Sequence, residues 1–236
     1  MALKVKLAAI SLGLCVALLC GWIAFESVRA AWVAMPATSV IEALRRGETV
    51  SQADRFRAAE VSFRAGEIFE PGRYLSDAAL AATDLSPREQ RQALHGASMA
   101  AMVDRALLNT PASPWNWARR SALQLAAGDL PRARASLETS LLLGRVVPRL
   151  TVPRLRIMLQ LKQRYPQSDL DAVMAEQIRI AARSEPGALA RFANRGAAEG
   201  ITQRVLANDF VLYQAYMKDL LYVRSIEKSE QKPGAR

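Results

Sequence analysis

A single histidine, His95, and two cysteines, Cys15 and Cys20, are the only imidazole and thiols in 236 residues. A zinc site needs three or four Cys, His or carboxylate ligands converging in space. Outside the first twenty residues the chain supplies one such nitrogen and no sulfur. This argues against structural zinc, iron–sulfur clusters, Cys–His nucleophiles and disulfides. A serine nucleophile would have to rely on His95 in "RQALHGAS", and no serine sits in an elbow-type glycine pattern. His95 reads instead as a helix-face residue near a turn. Glycosidic chemistry asks for two carboxylates ~5–10 Å apart across a cleft. The pairs Asp169/Asp171 and Glu67/Glu70 are close in sequence, but each falls at a turn or helix start, where acids complement the helix dipole. In "PGALARFANRGAAEG" the glycines at 187, 196 and 200 follow no strand, so a phosphate-loop reading fails its structural requirement. Small residues that let helices approach closely are the simpler account. The expectation is a protein that is not an enzyme, with no catalytic residue, cofactor or metal.

Arginine is the remaining chemistry. The chain carries a formal net charge of +10, and 29 basic residues against 21 acidic ones follow Ala30. Arginine is preferred over lysine and clusters at Arg119–Arg120, Arg132–Arg134, Arg179–Arg183 and Arg145, Arg149, Arg154, Arg156. Guanidinium forks suit carboxylates and phosphates, and a domain tethered near a bilayer feels anionic headgroups. The last four are the expected contacts to an anionic surface, either acidic polysaccharide or membrane. Solvated helix faces and a coding bias toward arginine account for the same residues without a ligand. No aromatic-interleaved basic stripe or nucleic-acid module is present, so no nucleic-acid partner is expected.

The element that would position the rest comes first in the chain. "MALKVK" supplies two lysines, and residues 7–25, "LAAISLGLCVALLCGWIAF", carry no charge. Nineteen residues at 1.5 Å each span roughly 28 Å, close to the hydrocarbon thickness of a bilayer. Lysines before the span place the N-terminus in the cytoplasm and the bulk of the chain across the inner membrane, in the periplasm. A retained anchor is favoured over a cleaved signal ending at the small residues Val28 and Ala30, because the apolar run exceeds the ~7–15 residues of a signal core. Leu14 before Cys15 and Leu19 before Cys20 rule out a lipoprotein site. Trp22 and Trp32 suit the membrane interface.

Beyond the span, isolated Gly and Pro, abundant Ala and Leu, and no β-branched alternation predict helix nearly throughout. The expected helices are about 38–46, 51–65, 72–84, 87–108, 114–127, 131–144, 152–165, 169–184, 187–198 and 202–226. Ser113 before Pro114, Ser86 before Pro87 with Glu89 following, and Asp129 before Pro131 are N-terminal caps. The domain plan is 1–30 cytoplasmic tip and anchor, 31–50 linker with a short helix, 51–226 helical repeats, and 227–236 disordered tail.

Apolar helices close on Pro111, Pro148 and Pro186, spacings of 37 and 38 residues. Between the first two lie a helix, a Gly128–Asp129 turn and a second helix. This resembles the tetratricopeptide repeat, a helix–turn–helix unit of ~34 residues. Trp117 stands at the family's early aromatic position, Ser121 at the small one, Ala133 at the close-approach alanine and Leu137 at the bulky inward position; Ala106, Leu107 and Pro111 end the preceding stretch in the same way. Arg120 and Gln124 depart from the usual leucine and tyrosine, and the units are three or four residues too long. Residues 112–148 match well, 51–87 and 149–186 in outline, and 187–226 barely. The fold class that the resemblance implies is all-α, a single N-terminal transmembrane helix followed by an α-solenoid of such units.

In the family a groove is lined by first helices, which assigns Trp115, Arg119, Ala122, Leu125 and Ala126 to partner contact. Two residues along a helix rotate by about 200°, so Trp115 and Trp117 face opposite ways. The phrasing of Asn109, Pro111 and Ser113 to Asp129 is also similar to uncharacterised bacterial envelope proteins associated with exopolysaccharide synthesis and export. The two resemblances imply a non-enzymatic, membrane-anchored adaptor that docks a protein partner in an envelope assembly. The competing expectation is direct binding of acidic polysaccharide or a membrane surface through the arginine clusters.

Overall fold

The computed structural model describes residues 2–166, 169–194 and 196–230, with side chains described from 12 to 226 outside those gaps. Thirteen α-helices, one 3-10 turn and no strand make up the described residues. The chain divides into two compact units, Met1–Ala112 and Ser113–Arg236.

The first unit contains α1 (Ala2–Ala34), the 3-10 turn Met35–Ala37, α2 (Thr38–Arg45), α3 (Gln52–Ile68), α4 (Pro71–Ala82), α5 (Pro87–Ala93) and α6 (Met99–Asn109). Helix α1 is the one described helix long and apolar enough to cross a membrane. Leu12, Leu14, Val16, Leu18, Leu19, Trp22, Ile23, Phe25 and Val28 all stand exposed along it. Its last turns change character. Ala30 and Ala34 are buried in a cluster with Ala65 of α3 and Tyr74 of α4, beside Val33, Ile68 and Phe69. The segment expected to be a linker therefore begins inside a packed core. The cause is local: no Gly or Pro interrupts the chain between Gly21 and Pro36, and alanines four residues apart let a neighbouring helix approach.

Helices α3 and α4 meet through small residues. A Cβ added to Gly66 would lie 2.8 Å from Leu75 Cδ2, while Gly72 packs α4 against the end of α6, where Thr110 Cγ2 leaves no room for a Cβ. Arg45 pairs with Asp77 at 2.7 Å and Arg55 with Asp84 at 2.9 Å. The single helix expected over 87–108 is two helices. His95 and Gly96 both hold left-handed backbone, φ 49° and 86°, and Ser98 caps α6 by accepting from Ala101 N–H at 3.1 Å. The His95 imidazole stacks on Phe63 at 5.7 Å. The break has local marks in the sequence, a glycine at position 96 and the capping serine at 98. Ser86 and Glu89 form the expected capping box at the start of α5.

The second unit contains α7 (Pro114–Ala126), α8 (Leu130–Leu143), α9 (Thr151–Arg164), α10 (Asp171–Ser184), α11 (Pro186–Ala193), α12 (Ala197–Leu206) and α13 (Phe210–Glu230). One core joins them, with Leu125, Leu137, Leu155, Met158, Met174, Ile178, Leu189, Leu206, Tyr216 and Leu220 buried together. The helix expected over 202–226 breaks at Ala207–Asp209, where the Asp209 carboxylate caps α13 by accepting from Leu212 N–H at 3.1 Å. Helix α13 continues to Glu230, into the segment expected to be disordered; residues 231–236 lie outside the described residues.

Candidate functional site: the outer face of α7 and its supports

Ser113 starts α7 by accepting from Asn116 N–H at 3.3 Å, with Pro114 at a position whose N–H needs no partner. The helix ends at Ala126, Gly128 turns the chain at φ 81°, and the Asp129 carboxylate accepts from Arg132 N–H at 3.2 Å to begin α8. Helices α7 and α8 are then stitched by three hydroxyls. Ser121 donates to the Ala133 carbonyl at 2.6 Å, Ser136 to Gln124 Oε1 at 2.7 Å, and Ser140 to the Pro114 carbonyl at 2.6 Å. Ser121, Ala133, Leu137 and Ser140 are all fully buried. Gln124, a departure from the repeat pattern, is accounted for by the serine it receives.

Of the five residues expected to meet a partner, four share one face. Trp115, Arg119, Ala122 and Ala126 fall at i, i+4, i+7 and i+11; the first two are half-buried and the alanines exposed. The Arg119 guanidinium lies 5.9 Å from the centre of the Trp115 ring, and it also donates to Asn116 Oδ1 at 3.2 Å. Leu125 does not belong there. It is 2% exposed and part of the core, because one residue before Ala126 is a 100° turn away from the outer face. Trp117 is half-buried rather than enclosed, with the Arg120 guanidinium 5.3 Å from its ring centre.

The four arginines expected to contact an anionic surface do not converge. Arg154 is 0% exposed. Its guanidinium donates to the Ser140 carbonyl, to Ser140 Oγ at 2.9 Å and to the Gly144 carbonyl at 2.7 Å. It thus satisfies carbonyls that α8 leaves open at its negative end, and its expected role as a surface contact is overturned. Burial pulls its pKa down to about 10. Arg164, at the other end of α9, donates to the Leu125 carbonyl of α7 at 3.1 Å, so α9 caps both preceding helices. Arg145 reaches Glu176 at 3.3 Å, while its carbonyl accepts from Gln177 at 3.1 Å. Arg149, exposed with φ 65°, donates its backbone N–H to Glu185 at 2.8 Å. Arg156 alone faces a cavity.

That cavity, about 780 Å³, lies among α9, α11, α12 and α13. Arg156 and Leu159 line one wall, Arg191 and Phe192 another, and Tyr222 and Val223 a third. Arg191 and Phe192 sit within "PGALARFANRG", where sequence reading attended to the glycines and passed over the cation beside the ring. The same end of the unit holds a polar cluster: Arg224 donates to Glu199 at 2.6 Å and to Asn194 at 3.0 Å. Tyr216 is fully enclosed, and burial, with the Glu199 charge, pushes its hydroxyl up to about 12. Among the described residues no three His, Cys, Asp or Glu side chains group as metal ligands. No family model, curated protein or solved structure matches the chain.

Proposed function

We propose that the chain is a non-enzymatic adaptor, held in the bacterial inner membrane by α1, whose periplasmic helical repeats dock a protein partner of an envelope assembly, with polysaccharide synthesis or export as its setting. The observation that carries this reading is the face of α7. A cation stacked on an indole is followed, one and two turns on, by two exposed alanines, which makes an anchor beside a smooth ridge. Tryptophan and arginine carry most of the energy at protein interfaces, and small neighbours admit a partner backbone. The helical resemblance and the apolar length of α1 support the same reading.

The test is a cross-linked pull-down of the full chain from envelope membranes. A partner recovered in fixed proportion is expected, and it is expected to be lost in the Trp115→Ala/Arg119→Ala double variant while far-UV circular dichroism stays unchanged. Recovery of no stable protein partner, together with steeply salt-dependent binding of acidic polysaccharide, would overturn the proposal. Unfolding of the double variant would make Trp115 part of the scaffold.

A further inference from the structure

The last helix of the second unit is its longest. At 1.5 Å per residue, the 21 residues of α13 span about 31 Å, against roughly 12 Å for the 8 of α11 and 15 Å for the 10 of α12. Asp219, Tyr222, Val223 and Ile226 recur at i, i+3, i+4 and i+7 and form the α13 wall of the 780 Å³ cavity. Val223 is half-buried, and Tyr222 and Ile226 are exposed. Leu159 and Phe192 continue the apolar lining from the opposite walls. A half-open face read at this spacing is what an amphipathic helix lays its own apolar ridge into.

The rim gives the sign of the occupant. Arg156 and Arg191 are both exposed, and among the described residues neither is held by a hydrogen bond, ion pair or ring. Elsewhere in the unit Arg134, Arg145 and Arg224 each hold a glutamate. One carboxylate, Asp219, stands in the lining against the two guanidiniums. A second copy of this face would set like charges against each other. The chain's own segment "EKSEQKPGAR" carries three basic side chains against two acidic ones and has no apolar period. An aliphatic lining suits leucine and phenylalanine side chains better than sugar hydroxyls.

We infer that the cleft between α9, α11 and α13 docks an acidic amphipathic helix of a partner protein, its apolar ridge against Leu159, Phe192 and Val223 and its carboxylates on Arg156 and Arg191. This rests on the adaptor reading and places a second contact on the same unit as the α7 face.

The probe is a fluorescein-labelled peptide of about 15 residues, leucine at helical spacing with glutamate between, compared with its lysine counterpart. Binding to the full chain in phosphatidylcholine nanodiscs is read by fluorescence anisotropy against empty nanodiscs. The expected result is saturable binding of the acidic peptide alone. It should weaken at least about tenfold in Arg156→Ala/Arg191→Ala and in Val223→Asp, with circular dichroism unchanged. Trp115→Ala/Arg119→Ala should leave it unaltered, so loss of the envelope partner with peptide binding intact separates the two proposals. No binding, equal binding of the lysine peptide, or full binding by the double-arginine variant would overturn the inference. So would displacement of the peptide by phosphatidylglycerol vesicles, which assigns the cleft to lipid, or a dimer that the peptide dissociates, which assigns it to a second copy.

Discussion

At the scale of residues, the informative groups are the ones whose burial contradicts their chemistry. Arg154 was readable as a cation and nothing more, because sequence cannot place the carbonyls of α8 around it. Inside the fold it holds Ser140 and Gly144, and among the described residues it pairs with no carboxylate. Arg154→Ala leaves those carbonyls buried and opens a cavity, so a loss of about 3–5 kcal/mol is expected from urea unfolding. Arg154→Lys should recover only part of it, since one ammonium cannot span the fork. Tyr216 is the opposite case: its hydroxyl is buried and has no hydrogen-bond partner among the described residues. Tyr216→Phe should therefore be neutral or stabilising by up to about 2 kcal/mol at pH 7. The sign with pH follows from the folded value near 12 against 10.0 for the free phenol. Between those values the unfolded chain has released the proton and the folded chain has not, so the native protein loses stability as pH rises from 10 toward 12. Tyr216→Phe lacks that loss, and its advantage over the native protein should widen across this window in parallel urea titrations.

At the scale of elements, caps were legible and contacts were not. Ser86, Ser113 and Asp129 mark their helices because the capping atom lies within three residues of the N–H it serves. The break at His95–Gly96 is marked by Gly96 and the capping Ser98, but α5 before it (PREQRQA) is too polar to show an apolar stripe of its own, so the two helices read as one. The fate of Leu125 escaped for a related reason: a stripe of helix is visible in sequence, but the edge of the stripe depends on which neighbours close over it. The contact of α4 with the end of α6 illustrates such closure. Gly72 faces Thr110 with no room for a methyl group, so Gly72→Ala should cost about 1–3 kcal/mol by thermal unfolding, whereas Gly47→Ala, with nothing nearby, pays only for its positive φ.

At the scale of the whole molecule, all-helical character and a membrane-length N-terminal helix followed directly from composition, since both are properties of runs. The division into two units at Ala112 and Ser113 did not, because it depends on contacts far apart in sequence. The packed end of α1 gives the prediction that belongs here. Chains starting at residue 27 should leave the membrane fraction yet keep Ala30 and Ala34 on Ala65 and Tyr74, with native circular dichroism and melting. Chains starting at residue 38 should leave the membrane and also melt lower, because the cluster is stripped of one side.

The same junction has a mechanical meaning. Helix α1 runs from its apolar stretch into the buried alanines without a glycine or proline after Gly21, so there is no joint at which the two could swivel. With the apolar stretch seated in a bilayer, a tilt or a piston stroke of the span is passed to the first unit as though through a stiff shaft. One residue inserted between Phe25 and Ala30 would turn that unit by about 100° and lift it by about 1.5 Å relative to the lipid. The azimuth of the first unit is set by residue count, much as a key is set by the cut of its shank.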